Sequence, residues 1–506
     1  MSTTAVAQET RLLTGEGYLE SMRDGRGVWI NGERVDDVTA HPAFRNAARS
    51  VARLYDAMHD PAHRDVLVGV DRHGIVTHEF FKPSYSSEEL LASREALALW
   101  ARQTYGYMGR TPDYKASFMA TLGADPEWYA PFGDSARHWY RRYAERGLFL
   151  NHVLINPPID RDKAVHEVAD VFVHVVEERD DGMVVDGAKM LATGSALTHA
   201  TFVAQNSAVQ LEEGHAEDYA LAFIVPMDAP GMRLVCRNSY EQAATSAWDA
   251  PLSARFDEND AVAVFDRVFV PWEDVLVYRD IQKATGFYAQ SGFMPRYTLQ
   301  SGVRLAIKLE FLCGLLARGL EANGTSGYRG VQAKLGELIG WRNLIWGITS
   351  TLCHETQPGP GGSVVPALEY ATLIRLFGTQ AFPKARDIFV ELLGGAPLVA
   401  PSSYRDLLND DLRPTIDRFY RGSTGDAHDR VKLFKLIWDA VGSEFGGRHA
   451  WYEVNYSGNQ DQMRLDVLRL AKIRGLADQF DELVESCLSE YDLDGWVGDT
   501  WVEPGS

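Results

Sequence analysis

One short stretch, Tyr105-Gly-Tyr-Met-Gly-Arg-Thr-Pro-Asp-Tyr114, sets a permanent positive charge and a phenol on either side of a helix start. Thr111 and Pro112 read as N-cap and first helical residue. Threonine can accept from an early backbone N–H, and proline sits well where no intrahelical donor is needed. Gly109 reads as the residue just past the preceding helix, where glycine takes the left-handed conformation cheaply. Arg110 then lies in the joint, with Tyr114 one turn further on. A guanidinium does not lose its charge at working pH, so one aimed out of such a joint can stabilise developing negative charge. The pattern by itself is also that of an exposed arginine beside a packed tyrosine.

Other chemistry-bearing patterns are weaker or absent. His59 and His63 lie four apart, but Pro61 stands between them and no third ligand suggests itself, so no metal site is expected. His354-Glu355 falls at a helix end, where it balances the helix dipole. No GxGxxG follows a strand and opens a helix, so a nicotinamide Rossmann site is not indicated. Neither a P-loop nor a GxSxG elbow occurs. The four cysteines, Cys236, Cys313, Cys353 and Cys487, form no CxxC pair, which points away from a disulfide framework or structural zinc and toward a reducing cytoplasm. A formal net charge of −20 argues against nucleic acid or an anionic membrane as partner. Residues 1–10 carry no apolar signal core, and no apolar run is long enough to span a membrane.

The elements that must position these groups fall into three regions. The 506 residues suffice for several domains. Residues 1–150 are expected to be mostly helical. Ser86-Ser-Glu-Glu89 is a capping-box pattern before a long helix, and Asp134 and Gly147 bracket a helix rich in aromatics. Residues 151–280 change to short β-branched runs at 171–176, 219–225, 232–236 and 261–270. Asp180-Asp-Gly182 is a hairpin turn, which together suggest a β-barrel domain. Residues 281–506 return to helix. Segments 304–320, 331–353, 366–393 and 429–445 can build a four-helix bundle, with a last helix at 460–488 and a polar tail. Helices, then a β domain, then a bundle is the order of acyl-CoA dehydrogenase-like flavoproteins, an α+β class.

Several long motifs then carry a specific resemblance. The segment Asn151-His-Val-Leu-Ile-Asn-Pro-Pro-Ile-Asp-Arg161 resembles the 4-hydroxyphenylacetate 3-monooxygenase large component, the oxygenase of a two-component flavin system. Residues 108–114, 192–199, 255–260, 328–332 and 442–449 match the same family in the same order. The resemblance runs from Leu13 to about Trp496. It implies the acyl-CoA dehydrogenase-like fold, a homotetramer, and hydroxylation of a phenol ortho to its oxygen through an FAD C4a-hydroperoxide. FAD would arrive as FADH2 from a separate flavin reductase and react with O2.

The resemblance also implies roles. Arg110, Tyr114 and His152 would bind the phenol. Pro158, Ile159, Asp160, Arg161 and Thr193, with Ser443, Glu444, Phe445, Gly446 and Arg448, would bind the flavin. His152 would lie against the flavin as well, and Asn206 and Ser207 would meet the far end of the substrate. His152, with an unperturbed pKa near 6.5, would accept the phenol proton. Glycines near Ser443 would let a dinucleotide approach, and Arg448 would meet a phosphate. Ser246-Ala-Trp-Asp-Ala-Pro251 departs from the longer, tyrosine-containing stretch of hydroxyphenylacetate enzymes, and a shorter loop there would open the pocket. The substrate is therefore 4-hydroxyphenylacetate-like or tyrosine-like, with a carrier-protein-tethered tyrosine derivative as the alternative. The rivals from other classes are an acyl-CoA dehydrogenase-like oxidoreductase and a non-catalytic helical assembly protein.

Overall fold

The computed structural model describes residues 11–206, 209–498 and 500–502. The helix Ser87–Gln103 starts where the capping box placed it. Ser86 Oγ accepts from Glu89 N–H at 3.3 Å, and Glu89 accepts from Tyr85 N–H at 2.8 Å. It ends through Gly106, φ +72°, whose N–H donates to Ala101 O at 2.9 Å. The left-handed closing residues are thus Tyr105, φ +53°, and Gly106, not Gly109. Gly109 answers a different need: a Cβ there would fall 2.3 Å from the Tyr452 hydroxyl. Its small size lets the helix Glu444–Asn455 lie against the joint.

The next helix, Pro112–Ala124, begins as expected at Thr111 and Pro112, though the Thr111 hydroxyl donates to Asp113 Oδ1 instead of capping. Its residues from Pro112 to Leu122 are all buried, because it packs against both Gly133–Arg146 and Phe293–Asn323. It is a core helix although it carries Asp113, Lys115, Ser117 and Thr121 among its buried residues. Asp134 lies in the first turn of Gly133–Arg146 and not at its cap, still favourable beside the positive end of the helix dipole. Gly147 closes that helix at φ +65°.

Among the described residues, the β region consists of a six-stranded and a four-stranded sheet. The larger runs Glu33–Val35, Val28–Ile30, Met232–Cys236, Ala261–Pro271, Gly182–Lys189, His174–Arg179. Its first two strands come from the region expected to be helical. They are three residues long, too short to show alternation, and Val28–Ile30 pairs parallel with Met232–Cys236. In the 171–176 run the regular antiparallel pairing starts at His174, and Phe172 makes an isolated parallel bridge to Ala188. The smaller sheet runs Val275–Tyr278, Leu221–Pro226, Ala200–Ala204, Leu150–Val153. Its last pair is parallel and sets His152 opposite Phe202, which fixes the face that His152 presents.

The long helices Phe293–Asn323, Arg329–His354 and Leu368–Leu393 pack on one another. The helix expected over 429–445 is two. Ala427–Ile437 ends in a wide turn, and Ser443 restarts the chain by accepting from Gly446 N–H at 3.1 Å. The last helix also breaks, at Gly475, φ +72°, into Gln460–Ile473 and Leu476–Leu488. Glu453 clamps Glu444–Asn455 onto the long helix through Arg304 and, at 2.9 Å, Lys308. No helix among the described residues is long and apolar enough to cross a membrane.

The joint is tightly constrained at Gly106. A Cβ there would meet Lys308 N at 2.6 Å and Arg304 O at 2.7 Å, both backbone, in addition to the positive φ. Gly106→Ala is expected to cost more than about 1 kcal/mol, read as a lowered urea midpoint. An unchanged midpoint would contradict the close approach of joint and long helix.

Candidate active site

Joint, sheet and bundle meet around a cavity of about 690 Å³, within the ~300–1,000 Å³ typical of cofactor and ligand sites. Arg110, Tyr114 and His152, separated by up to 42 positions in sequence, all line it. Arg110 is anchored by its backbone N–H, which donates to Glu258 Oε1 at 2.5 Å. Its guanidinium carbon lies 3.8 Å from the Tyr114 ring centre, and 5.4 and 5.7 Å from those of Tyr452 and Tyr456. Ring quadrupoles hold the cation without a carboxylate ion pair to its side chain among the described residues. Nη1 is buried and has no hydrogen-bond partner among the described residues. Burial works against the charge, but Tyr114, Tyr452 and Glu258 more than offset it, so the guanidinium stays firmly protonated.

The His152 ring centre lies 5.5 Å from that of Tyr114 and 6.3 Å, edge-on, from that of Phe293. Its Nδ1 is also buried and without a hydrogen-bond partner among the described residues. Burial first, then Lys115 and Arg110, hold the imidazole well below the usual histidine range. It is therefore neutral at neutral pH, with a ring nitrogen that can accept, rather than partly protonated as its ordinary value would have it. A guanidinium that keeps its protons and a neutral imidazole, which always has one ring nitrogen able to accept, lie beside a phenol ring, each with a nitrogen unsatisfied. Buried polar atoms left unpaired cost about 1–3 kcal/mol each, which a hydroxylated ligand between them would recover.

The remaining predicted residues divide. Thr193 lines the cavity, between Leu191, φ +61°, and Gly194, φ +72°, and donates to Asp260 at 2.6 Å. Asn206 lines it too, and Ser207 lies outside the described residues. Arg448 is in the wall but already engaged. It holds Asp260 at 2.8 Å and Glu258 at 3.5 Å, while Arg237 takes Asp260 from the other side at 3.0 Å. Arg448 Nη1, though near Glu258, has no hydrogen-bond partner among the described residues. Ser443, Glu444, Phe445 and Gly446 do not line the cavity. Phe445 is packed between Tyr107 and His449, and Gly446 is small because a Cβ would meet the Val441 backbone at 2.7 Å. That glycine serves packing, whereas Gly447 faces open space. Pro158, Ile159, Asp160 and Arg161 form an exposed turn beyond the cavity, with Asp160 at φ +44° paired to Lys163. Leu154 and Ile155 are the strand-exit residues that reach it.

The divergent segment 246–251 also lies elsewhere. Asp249 accepts from Tyr404 N–H and pairs with Lys435 at 3.1 Å, and Trp248 packs on His428, so within its own chain the loop does not border the cavity. Residues not singled out from sequence complete the wall: Asp260, Tyr288, Phe293, Tyr297, Tyr452 and Tyr456. A signal existed for the last two, since positions 448, 452, 455 and 456 share one helix face.

The wall fits a flavin with a phenol beside it. The volume exceeds one aromatic ring, the lining is largely aromatic and aliphatic, and unpaired donor and acceptor atoms stand at one end. Another edge of the wall is held by Asp260, whose carboxyl burial would raise but which Arg448 and Arg237 keep below the usual range. Asp260→Asn is expected to lose about 1–3 kcal/mol of stability at neutral pH, seen as a lower denaturant midpoint, because two arginines lose an ionic acceptor. An unchanged midpoint would mean that this edge is not held by charge.

Comparison with known proteins agrees. The model of the 4-hydroxyphenylacetate 3-hydroxylase N-terminal region matches residues 14–277, and that of the C-terminal region matches residues 284–485. The pyoverdin chromophore biosynthetic protein PvcC of Pseudomonas aeruginosa is 54% identical, covering 97% of this chain and 98% of its own. The 4-hydroxyphenylacetate 3-monooxygenase oxygenase component of the same organism is 48% identical, over 97% and 95%. A Streptomyces globisporus monooxygenase named for a (3S)-3-amino-3-(3-chloro-4-hydroxyphenyl)propanoyl-peptidyl-carrier protein is 46% identical, over 96% and 93%. The crystal structure of a 4-hydroxyphenylacetate 3-monooxygenase oxygenase component with FAD and 4-hydroxyphenylacetate superposes with a TM-score of 0.88 at 30% identity, over 94% and 99%. A 4-hydroxybutyryl-CoA dehydratase from N. maritimus, at 20% identity and a TM-score of 0.82, shares the fold. The chain belongs to the 4-hydroxyphenylacetate 3-hydroxylase family.

Proposed function

We propose that this chain is the oxygenase component of a two-component monooxygenase that hydroxylates a phenol ortho to its hydroxyl. The observation that carries the reading is that Arg110 and His152 line one cavity beside Tyr114 and that each has a buried nitrogen, Nη1 and Nδ1, without a hydrogen-bond partner among the described residues. Reduced FAD with oxygen, when bound, supplies an electrophilic oxygen atom. The chain's own residues prepare the ring that receives it. Arg110 donates to the phenol oxygen and stabilises the charge that grows there. Neutral His152 takes the phenol proton, and the new imidazolium lies next to a phenolate, which offsets the neighbours that otherwise disfavour it. Charge leaving the oxygen enriches the ortho carbon. Tyr114 holds the ring in place, and the Asn206 side of the cavity receives the rest of the substrate.

A hydroxyphenylacetate-like or tyrosine-like phenol suits this cavity. A carrier-tethered tyrosine derivative is the second reading, supported by near-equal identity to relatives named for free and carrier-bound substrates. A separate flavin reductase supplies FADH2. A homotetramer is supported by the helix Leu476–Leu488, which buries no residue and exposes Phe480 and Leu483, a face suited to a further copy. Four free cysteines accord with a cytoplasmic setting.

A panel of free and carrier-bound phenols with reduced FAD and oxygen tests the reading. Ortho-hydroxylated product is expected, and no NADH oxidation by the chain alone. Reduction of an artificial dye with an acyl-CoA thioester, without hydroxylation, would favour the dehydrogenase rival instead. His152→Ala is expected to lower product formation by ~10²–10⁴-fold while oxygen is still consumed and hydrogen peroxide released. Arg110→Lys should not restore activity, because an ammonium lacks the planar fork. Coupled product at wild-type rates in His152→Ala would remove His152 from the chemistry.

A further inference from the structure

Lys115 follows Tyr114 in the buried helix, and no step above uses it. Its side chain is wholly inaccessible, and among the described residues Nζ has no hydrogen-bond partner. Rings surround the amine: Phe293 at 4.5 Å, Phe202 at 5.4 Å, Tyr114 at 5.6 Å and Phe118 at 5.7 Å. Among the described residues no carboxylate pairs with it. Asp113, two positions earlier, is turned to Thr111 and Gln300. Burying an amine without a counter-ion is costly, and a methionine would fill the same space without that cost. The lysine shares its box with the phenol site. Phe202 is the register partner of His152, and Phe293 and Tyr114 touch both side chains.

We propose that Lys115 is a positioning residue for His152, a cation-forming neighbour that keeps the imidazole unprotonated and ready to accept from the phenol. The proposal rests on the reading of His152 as proton acceptor. Facing the amine are Arg110 from the joint, Tyr114 from its own helix and His152 from the strand. Tyr288 and Tyr297 line the adjoining cavity, and burial pushes both phenols up, so they stay neutral. Burial and then Arg110 pull the lysine well below its usual range, so it can change charge as the medium acidifies. Lys115 in turn stands next after burial among the causes that hold His152 down. Once the amine has taken a proton, the ammonium repels one from His152. Without the lysine, His152 protonates at higher pH and the acid limb of hydroxylation moves up.

The test is the pH dependence of product formed per oxygen consumed, with reduced FAD supplied, together with the melting temperature. Lys115→Met is expected to move the acid limb up by about one pH unit, with melting temperature unchanged or raised. Lys115→Arg, permanently charged, should keep the limb at or below its wild-type position. Should the methionine chain fail to fold, Lys115→Gln reads the same limb. An unmoved limb in Lys115→Met and Lys115→Gln, above all with a lowered melting temperature, makes the lysine structural and overturns the proposal. His152→Ala separates the two ideas. If it abolishes the limb while Lys115→Met leaves it in place, only the lysine assignment fails; if it keeps the wild-type limb, the reading of His152 fails.

Discussion

The guanidinium of Arg110 is held by rings and not by a carboxylate, and the rest of the site depends on this. Tyr114, Tyr452 and Tyr456 come from two helices far apart in the chain and surround one cation. A carboxylate partner would use up the donors and cancel the field. A cage of aromatic faces keeps the charge in place and leaves Nη1 for a ligand. Glu258 contributes through the Arg110 backbone N–H, so it fixes the joint without taking the side chain. Arg448 shows the contrast a few residues from Tyr452, where Asp260 and Glu258 absorb the positive charge and the side chain becomes part of the wall.

Three regions must meet for this cage to exist. The buried helix Pro112–Ala124 supplies Tyr114 and Lys115, the parallel pairing of Leu150–Val153 with Ala200–Ala204 sets His152, and the helix Glu444–Asn455 brings Tyr452. Two glycines allow the approach, Gly106 against the long helix and Gly109 beneath the Tyr452 hydroxyl. The buried Glu453, Arg304 and Lys308 group secures that helix from behind. Desolvation has two consequences at once. It keeps His152 neutral, and it leaves Arg110 charged only because neighbouring phenols and Glu258 favour the cation.

Sequence patterns carried the order of regions, the capping box at Ser86, the start at Thr111 and Pro112, and the strand Met232–Cys236. These are local signals, set by hydrogen bonds a few residues apart. The breaks at Ser443 and Gly475 were passed over because apolar spacing continues across both. The role of Gly109 was misplaced for a related reason: a glycine can serve a turn or a contact, and only the distant Tyr452 decides which. In the site, Arg110, Tyr114 and His152 came from motifs that resemble a family. Lys115 and Tyr452 did not, since a lysine inside a helix reads as solvated until its surroundings are known. The same limit applies to 158–161 and to the loop at 246–251, which stand outside the cavity of their own chain.

The central claim is that Arg110 and neutral His152 form a site for a phenol that is losing its proton. The most direct measurement is the ionisation of a bound chromophoric phenol, such as 4-nitrophenol, followed by difference absorbance against pH with no reductant present. The account predicts that the bound phenol ionises at lower pH than the same phenol free in solution, and that Arg110→Met abolishes the difference. A bound phenol that ionises at the same or a higher pH in the wild-type protein would contradict it.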